Sequence, residues 1–301
     1  MKAIVTGAGG FVGGHLATAL REAGWRVTTL ARRAPADVVG DLCTMPLRGL
    51  SADVVFHLAG FSSPSASLGA PAEAYASNAA ATARLLRELR AGRFVTAGSC
   101  QVYGPMTRPV DESAPCLPRT PYAASKLCAE ALAFASGRDV VALRPFNHTG
   151  PGQSDSFVCP RIARQVARAE AGCGSRVLRL GDLSPRRDFF DVRDMARAYI
   201  LAAERGRAGA VYNVSTGRPV SIARIARILM GAASVPLRLR GCRGRPDLLS
   251  GDSSAFRRDT GWSPRIPLER TLRDLLAHER DMQGFRNQGS GASVTPGPVA
   301  S

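Results

Sequence analysis

Short apolar runs alternate with helix-like stretches along the first half of the chain. The opening residues predict a strand over Lys2–Thr6, a helix over Phe11–Ala23 that Gly24 ends, and a strand over Arg26–Leu30. Three later runs are rich in β-branched or aromatic residues, and the first two precede Ala/Leu-rich helical stretches: Val54–His57, Phe94–Ala97 and Val140–Leu143, with helices at Pro71–Arg90 and Pro121–Ser136. This alternation predicts an α/β fold with a doubly wound parallel sheet.

The pattern changes after Pro145. A loop rich in Gly, Pro and Asn spans Asn147–Gln153 and precedes a mixture of helices and strands. The predicted elements are helices at Phe157–Ala171, Asp188–Arg205 and Ser221–Met230 and strands at Arg176–Leu180 and Val211–Ser215. We expect this half to complete the sheet and to form a small lid domain on its carboxyl edge.

The charge balance is strongly basic, with 40 Lys and Arg against 24 Asp and Glu and a net charge of +16. Only Lys2 and Lys126 are lysines, and the arginines are scattered and not interleaved with aromatic residues. The excess therefore indicates compositional bias, and we predict no nucleic-acid partner. An anionic small substrate would suit the positive field.

The seven cysteines are odd in number and form no CxxC pair, which favours a reduced, cytoplasmic protein without a metal site. No run of 18 apolar residues occurs, and the first apolar run is too short for a signal peptide. We expect a soluble protein that is neither exported nor bound to membranes.

A glycine-rich turn, Gly7-Ala8-Gly9-Gly10-Phe11-Val12-Gly13, connects the first predicted strand to the first helix. In such a turn Gly7 permits the tight bend, Gly10 lets the backbone approach a pyrophosphate, and Gly13 lets the helix pack on the sheet. The helix N-terminus adds positive potential. Together with the strand and helix around it, the turn predicts dinucleotide binding.

The end of the second strand indicates which dinucleotide binds. Leu30-Ala31-Arg32-Arg33 has Ala31 where an NAD enzyme carries an acid for the ribose 2′-hydroxyl, and arginines that can hold a 2′-phosphate. We therefore predict NADP(H). Asp41 is expected near the adenine edge.

A catalytic group is predicted from Ser99, Tyr122 and Lys126. The spacing of four residues places Tyr122 and Lys126 on one helix face, where the ammonium can lower the pKa of the phenol for proton transfer. Ser99, after the strand Phe94–Ala97, can polarise a carbonyl group.

With these motifs the chain resembles the extended short-chain dehydrogenase/reductases, the NAD-dependent epimerase/dehydratase family that acts on nucleotide sugars. The likeness runs from Lys2 to about Leu276. Further matching segments are His57–Gly60, Asn78, Ser99–Gly104, Arg187–Phe189 and Gly261–Pro264. The resemblance implies a Rossmann-type doubly wound sheet with a smaller C-terminal substrate-binding domain, and a homodimer.

The motifs and the resemblance together predict the contacts to the cofactor. They are Gly7, Gly10, Phe11, Val12, Gly13, Arg32, Arg33, Asp41, Leu42, Leu58, Ala59, Gly60, Asn78, Tyr122 and Lys126. The resemblance also implies an NADP-binding domain of residues 1–150 and about 185–217. A nucleotide-sugar domain would comprise about 151–184 and 218–284, and the Gly/Ser-rich residues 285–301 are expected to be a disordered tail.

Within the family, the segment Arg144–Gln153 followed by Phe157-Val158 is most similar to GDP-mannose 4,6-dehydratases and, more closely, to GDP-6-deoxy-4-ketomannose reductases. This likeness implies substrate contacts from Asn147, Val158, Arg187 and Arg245. Alternative interpretations are ion pairs of Arg187 with Asp191 and of Arg245 with Asp247, and a role for His148 in ordering its loop.

Two departures from the family discriminate between reactions. Cys100-Gln101 stands where 4,6-dehydratases carry a Glu, often beside an Asp, so dehydration is disfavoured. The Cys and His spacing of the epimerising reductases is absent, so Cys100 is interpreted as a small buried residue. The remaining reaction is reduction of a C4 ketone, with GDP-4-keto-6-deoxymannose giving GDP-D-rhamnose.

Three alternatives stay open. A nucleotide-sugar 4-epimerase uses the same Ser, Tyr and Lys but retains NAD, and a 4,6-dehydratase belongs to the same family. A non-enzymatic NADP(H)-sensing regulator is disfavoured because the catalytic residues are present.

Overall fold

The computed structural model describes residues 1–244 and 247–289. Its strands are β1 (Lys2–Thr6), β2 (Arg26–Ala31), β3 (Val38–Val39), β4 (Ser51–His57), β5 (Arg90–Ala97), β6 (Val140–Pro145), β7 (Asn147–Thr149), β8 (Val177–Asp182), β9 (Arg186–Arg187), β10 (Phe189–Asp191), β11 (Val211–Val214), β12 (Val220–Ser221), β13 (Arg238–Cys242) and β14 (Leu248–Leu249). Its α-helices are α1 (Phe11–Glu22), α2 (Pro71–Tyr75), α3 (Ala81–Glu88), α4 (Pro121–Ala135), α5 (Val158–Glu170), α6 (Val192–Arg205), α7 (Ile222–Gly231), α8 (Ser254–Thr260) and α9 (Leu268–Gly289).

Seven parallel strands form the central sheet in the order β11-β6-β5-β4-β1-β2-β3, which confirms the predicted doubly wound α/β fold. β1 lies between β2 and β4, and Thr6 at its carboxyl end is in register with both Leu30 and His57. The strand order reverses at this point. A crevice therefore opens beyond the carboxyl ends of the strands, immediately after Thr6.

A second hydrophobic core lies among α5, α7, α9 and β8, with Ile162, Ile225, Leu229 and Leu272 fully buried in it. The described residues also form two strand pairs, β10-β7 and β13-β8, and a three-stranded sheet, β12-β9-β14, which are separate from the central sheet. Residues from both 151–184 and 218–284 surround the second core. The domain limits given above stay a prediction.

Several predicted boundaries are wrong. The helix predicted over Pro71–Arg90 is divided into α2, a π-helical turn at Ala76–Ala80, and α3, and Arg90 already begins β5. The helix predicted from Asp188 starts only at Val192, because β10 pairs with β7 before it. At Arg90 and before Val192, pairing with another strand overrides local helix propensity.

Near the end of the described chain, the structure also differs from the prediction made from composition. The backbone of residues 285–289 continues α9 where a disordered tail was expected, because an existing helix propagates at little cost through polar residues. Residues 290–301 of that tail lie outside the described residues. None of the helices described here is long and apolar enough to cross a bilayer.

Candidate active site

A cleft of about 910 Å³ occupies the crevice at the carboxyl edge of the sheet. It extends from the glycine turn to the loop after β6 and the start of α5. Predicted site residues that line it are Gly7, Gly10, Phe11, Val12, Gly13, Arg32, Arg33, Leu42, Leu58, Ala59, Gly60, Ser99, Tyr122, Asn147 and Val158. The predicted cofactor and substrate residues therefore face one continuous space.

The glycine turn has the backbone geometry that a dinucleotide requires. Gly7 has a φ of 72°, and a Cβ on Gly13 would lie 2.1 Å from the Gly7 carbonyl oxygen. At the N-cap of α1, Gly10 offers no side chain to the first amide groups, and the first turn holds no acidic residue. These free N–H groups face the cleft and fit a pyrophosphate.

The end of β2 presents Arg32 and Arg33 to the cleft beside Ala31. Both arginines are exposed, and no acidic residue takes the position of Ala31. Asp41 does not line the cleft. Its carboxylate accepts a 2.7 Å hydrogen bond from the Cys43 amide, which lowers the pKa of that carboxyl.

Ser99 and Tyr122 approach the cleft from two elements. Ser99 caps the 3₁₀ turn after β5, where its Oγ accepts a 3.2 Å hydrogen bond from the Gln101 amide. Thr120 caps α4, which begins with Pro121 and carries Tyr122 in its first turn. The Tyr122 amide also donates to Ser67 Oγ at 3.1 Å. The Ser99 side chain and the backbone of Tyr122 are thus held in place by hydrogen bonds.

Burial controls the ionisation of Tyr122 and Lys126. It raises the pKa of Tyr122 to about 12, and the neighbouring Ser99 side chain opposes this shift. It lowers the pKa of Lys126 to about 8. The phenol pKa is thus raised and not lowered as predicted, because desolvation dominates and Lys126 is not among the groups that shift it.

Lys126 and Asn78 lie behind the wall of the cleft. Lys126 Nζ donates to the Ala97 carbonyl oxygen at 2.9 Å. Asn78, in the π-helical turn, donates through Nδ2 to Ser125 Oγ at 2.9 Å, while its buried Oδ1 has no hydrogen-bond partner within the described structure. A Cβ on Gly60 would meet that oxygen at 2.2 Å, so this wall is closely packed.

The other half of the cleft holds polar and aromatic groups suited to a sugar nucleotide. The buried Oδ1 of Asn147 lacks a hydrogen-bond partner among the described residues. His148 also lines the cleft, and its ring stacks on Phe11 with centroids 6.1 Å apart. Its Nδ1 lies 3.1 Å from the Phe146 carbonyl oxygen, consistent with ordering of the loop.

Arg187 lies outside the cleft lining. It pairs with the Asp247 carboxylate and donates to the Asp247 carbonyl oxygen at 2.7 Å. The alternative pairing with Asp191 is wrong, because Asp191 caps α6 and pairs with Arg193. Arg245 lies outside the described residues.

Sequence reasoning missed several lining residues. Gln101, Gln153, Phe189 and Leu249 also face the cleft. Gln101 and Phe189 lie within the motifs Ser99–Gly104 and Arg187–Phe189, which could have indicated them. Leu249 comes from a two-residue strand with no sequence signal.

The described residues that line the cleft include no Asp and no Glu. Cys100 and Gln101 stand where a dehydratase would carry its acidic residue. Cys100 is buried, which raises the pKa of its thiol, and Gln101 contributes a neutral amide. The described part of the chain also holds no group of three or more His, Cys, Asp or Glu side chains placed to bind a metal ion.

The profile of the NAD dependent epimerase/dehydratase family matches residues 3–215, more than half of the chain. The chain belongs to this family, the extended short-chain dehydrogenase/reductases, and it is an NAD(P)-dependent enzyme of the nucleotide-sugar-modifying class.

The chain is similar to two named relatives and to one solved structure. GDP-6-deoxy-D-mannose reductase of Pseudomonas aeruginosa is 36% identical over 92% of this chain and 96% of its own. UDP-glucose 4-epimerase of Azospirillum brasilense is 31% identical, covering 100% of this chain and 97% of its own. The structure of RMD from Pseudomonas aeruginosa complexed with NADPH superimposes with a TM-score of 0.86 at 35% identity, covering 93% of this chain and 99% of that one.

Proposed function

We propose that this enzyme is an NADPH-dependent ketoreductase that reduces the C4 carbonyl of a nucleotide-linked 4-keto-6-deoxy sugar. The proposed substrate is GDP-4-keto-6-deoxy-D-mannose and the product GDP-D-rhamnose. Support comes from the likeness to a GDP-6-deoxy-D-mannose reductase and to RMD complexed with NADPH.

The observation that carries the proposal is a cleft with Ser99 and Tyr122 but without a carboxylate among its described lining residues. Dehydration across C5 and C6 needs an acid and a base in addition to the tyrosine. Gln101 can serve as neither. Reduction of a ketone needs only a hydride, which NADPH would supply, and a proton and stabilisation of the developing alkoxide, for which Tyr122 and Ser99 suffice.

When bound, NADPH supplies the hydride that C4 receives. The amide groups at the start of α1 bind the pyrophosphate, and Arg32 and Arg33 bind the 2′-phosphate. Tyr122 donates its phenolic proton to the C4 oxygen, and Ser99 donates a hydrogen bond to the same oxygen. Lys126, whose ammonium donates to the Ala97 carbonyl oxygen, is assigned to the nicotinamide ribose.

On the substrate side, the proposal assigns Asn147 and Val158 to the sugar nucleotide. Asn147 lines the cleft, and its side chain is proposed to face the substrate near the nucleotide diphosphate. Arg187 and Arg245 are assigned to the diphosphate, for which the guanidinium fork is suited, and Arg187 would then exchange Asp247 for the phosphate oxygens.

The proposed setting is a reduced cytoplasm, in which the cysteines stay free.

The proposed assembly is a homodimer. Helices α2 and α4 pack against each other, and three large apolar side chains near them are exposed: Leu68, Tyr75 and Leu132. They support this outer face as the dimer contact, and light scattering on the purified protein tests it.

The experiment is NADPH oxidation by purified protein supplied with GDP-4-keto-6-deoxymannose. The proposal predicts turnover, with NMR identifying the C4 configuration as rhamnose and not 6-deoxytalose. Tyr122→Phe is expected to lower kcat by about 10²–10⁴-fold while NADPH binding is retained. Turnover only with UDP- or dTDP-linked ketosugars would refute the GDP assignment, and NAD retained through purification would favour the 4-epimerase.

A further inference from the structure

A buried hydrogen-bond chain connects the strand that precedes the glycine turn with the catalytic helix. Thr6 Oγ1 lies 2.8 Å from His57 Nδ1, and His57 Nε2 lies 2.8 Å from Thr82 Oγ1. Thr82 Oγ1 then donates to the Asn78 carbonyl oxygen at 2.5 Å. All four residues are buried, so none of these polar groups exchanges its partner for bulk water.

The donor count defines the tautomer of His57. Thr82 has one hydroxyl hydrogen, and the Asn78 carbonyl, which can only accept, takes it. His57 Nε2 must therefore carry a hydrogen and donate to Thr82. The ring is neutral, because burial and the nearby Lys126 lower the pKa of His57 to about 3, so Nδ1 accepts from Thr6. Thr6 Oγ1 in turn accepts from the Ala59 amide at 3.2 Å.

The side chain of Asn78 continues the connection to Tyr122. Its Nδ2 donates to Ser125 Oγ at 2.9 Å, and Ser125 donates to the Tyr122 carbonyl oxygen at 2.9 Å. Every hydrogen bond points in the same direction, from β1 towards α4. The chain starts at the residue before Gly7 and ends on the backbone of the proposed proton donor.

We propose that His57, as the Nε2–H tautomer, and Thr82 are positioning residues that fix Tyr122 relative to the dinucleotide turn. Hydride and proton reach the same carbonyl group from two elements, the turn after β1 and the first turn of α4. An error of about 1 Å between them can cost about 100-fold in rate. The π-helical turn that carries Asn78 is the kind of irregularity found at functional sites.

The first test reads the tautomer without substrate. Long-range ¹H–¹⁵N NMR of the full chain labelled at histidine gives four ring patterns, because the chain has 4 His residues, and His57→Gln assigns one of them. The expected pattern has a protonated Nε2 and an unprotonated Nδ1 on His57. A hydrogen on Nδ1, with or without one on Nε2, would overturn the proposal.

The second test uses a matched pair of threonines. Thr260 is also buried, donates to a carbonyl four residues earlier (Phe256, 2.6 Å) and accepts from one further group, the Trp262 amide, but neither partner belongs to the hydrogen-bond chain. Thr82→Val and Thr260→Val should lose similar thermal stability. Only Thr82→Val should lower kcat, by about tenfold, with the KM for NADPH within about twofold, and Thr82→Ser should restore it.

Equal kcat values for the two valine variants would contradict the positioning role. The kinetic arm rests on the proposed function. If the wild type reduces no 4-ketosugar, or Thr82→Val does not fold, the tautomer measurement still decides, so failure of this inference and failure of the proposed function are distinguishable.

Discussion

At the residue scale, the sequence predicts that Tyr122 and Lys126 lie on one helix face, but it does not predict how the two groups ionise. Spacing along a helix places Tyr122 and Lys126 on one face, which the sequence displays directly. The pKa values depend on how much of each side chain the rest of the fold covers, and burial moves the two in opposite directions.

Asp41 was predicted near the adenine because it is an acidic residue after the second strand. In the structure its carboxylate accepts a hydrogen bond from the Cys43 amide within a local turn.

The pKa of Lys126 predicts a pH dependence. With the phenol protonated up to a pH of about 12 and the ammonium lost above about 8, kcat/KM for NADPH should be level below pH 8 and fall with unit slope above it. A flat profile through pH 9.5, measured by initial rates in overlapping buffers, would contradict the role of Lys126.

The same shift predicts an effect on stability. The folded pKa of Lys126 lies below the ordinary value of 10.5, so the unfolded chain holds the extra proton between about pH 8 and 10.5. The contribution of this residue to the free energy of unfolding therefore rises with pH across that window. Between pH 7.5 and 10, the free energy of unfolding of the wild type should rise relative to that of Lys126→Met, as denaturant titrations of both proteins can measure. Equal changes in the two proteins would contradict the effect of Lys126.

At the element scale, strands and helices of the first half followed from hydrophobic periodicity, whereas β9, β10, β12 and β14 did not. Each of these has two or three residues and is defined by pairing with a distant segment, such as β10 with β7. Local propensity carries no information on such pairing. The contribution of Leu249 to the cleft was unpredictable for the same reason.

Two adjacent glycines of α1 test the close packing at the dinucleotide turn. A Cβ on Gly13 would lie 2.1 Å from the Gly7 carbonyl oxygen, whereas a Cβ on Gly14 would be 3.6 Å from its nearest neighbour, Ala8 O. Gly13→Ala should lower the free energy of unfolding by about 1–3 kcal/mol and abolish NADPH binding. Gly14→Ala should raise it by up to about 1 kcal/mol. Denaturant unfolding and NADPH fluorescence measure both, and equal behaviour of the two variants would exclude the clash.

The end of β2 tests the cofactor preference. Replacing Arg32 and Arg33 by Ala should weaken NADPH binding by about 10–100-fold, because charge-assisted hydrogen bonds to the 2′-phosphate are lost, and should leave NADH binding unchanged. Arg26→Ala, an exposed arginine at the opposite end of the same strand, is the control. Equal losses for both dinucleotides, measured by fluorescence titration, would refute the role of the two arginines.

At the scale of the whole molecule, the chemistry follows from what the two halves bring to one cleft. The sheet supplies the glycine turn, the two arginines, Ser99 and Tyr122, and the part after β6 supplies Asn147 and Val158. The positive charge of the cleft lining favours a substrate that carries phosphate groups. The proposed C4 reduction rests on the absence of acidic side chains from its described lining, because dehydration would need a further acid and base.

The central claim is tested most directly by following hydrogen isotopes into the product. GDP-4-keto-6-deoxymannose made beforehand in ordinary water is reduced in D₂O, in one reaction with unlabelled NADPH and in another with NADPH deuterated at the transferred position, beside a control without protein. NMR should find deuterium at C4 only with the labelled cofactor, and no solvent deuterium at C3, C5 or C6. Solvent deuterium at those carbons beyond the control, or no cofactor deuterium at C4, would contradict simple C4 reduction.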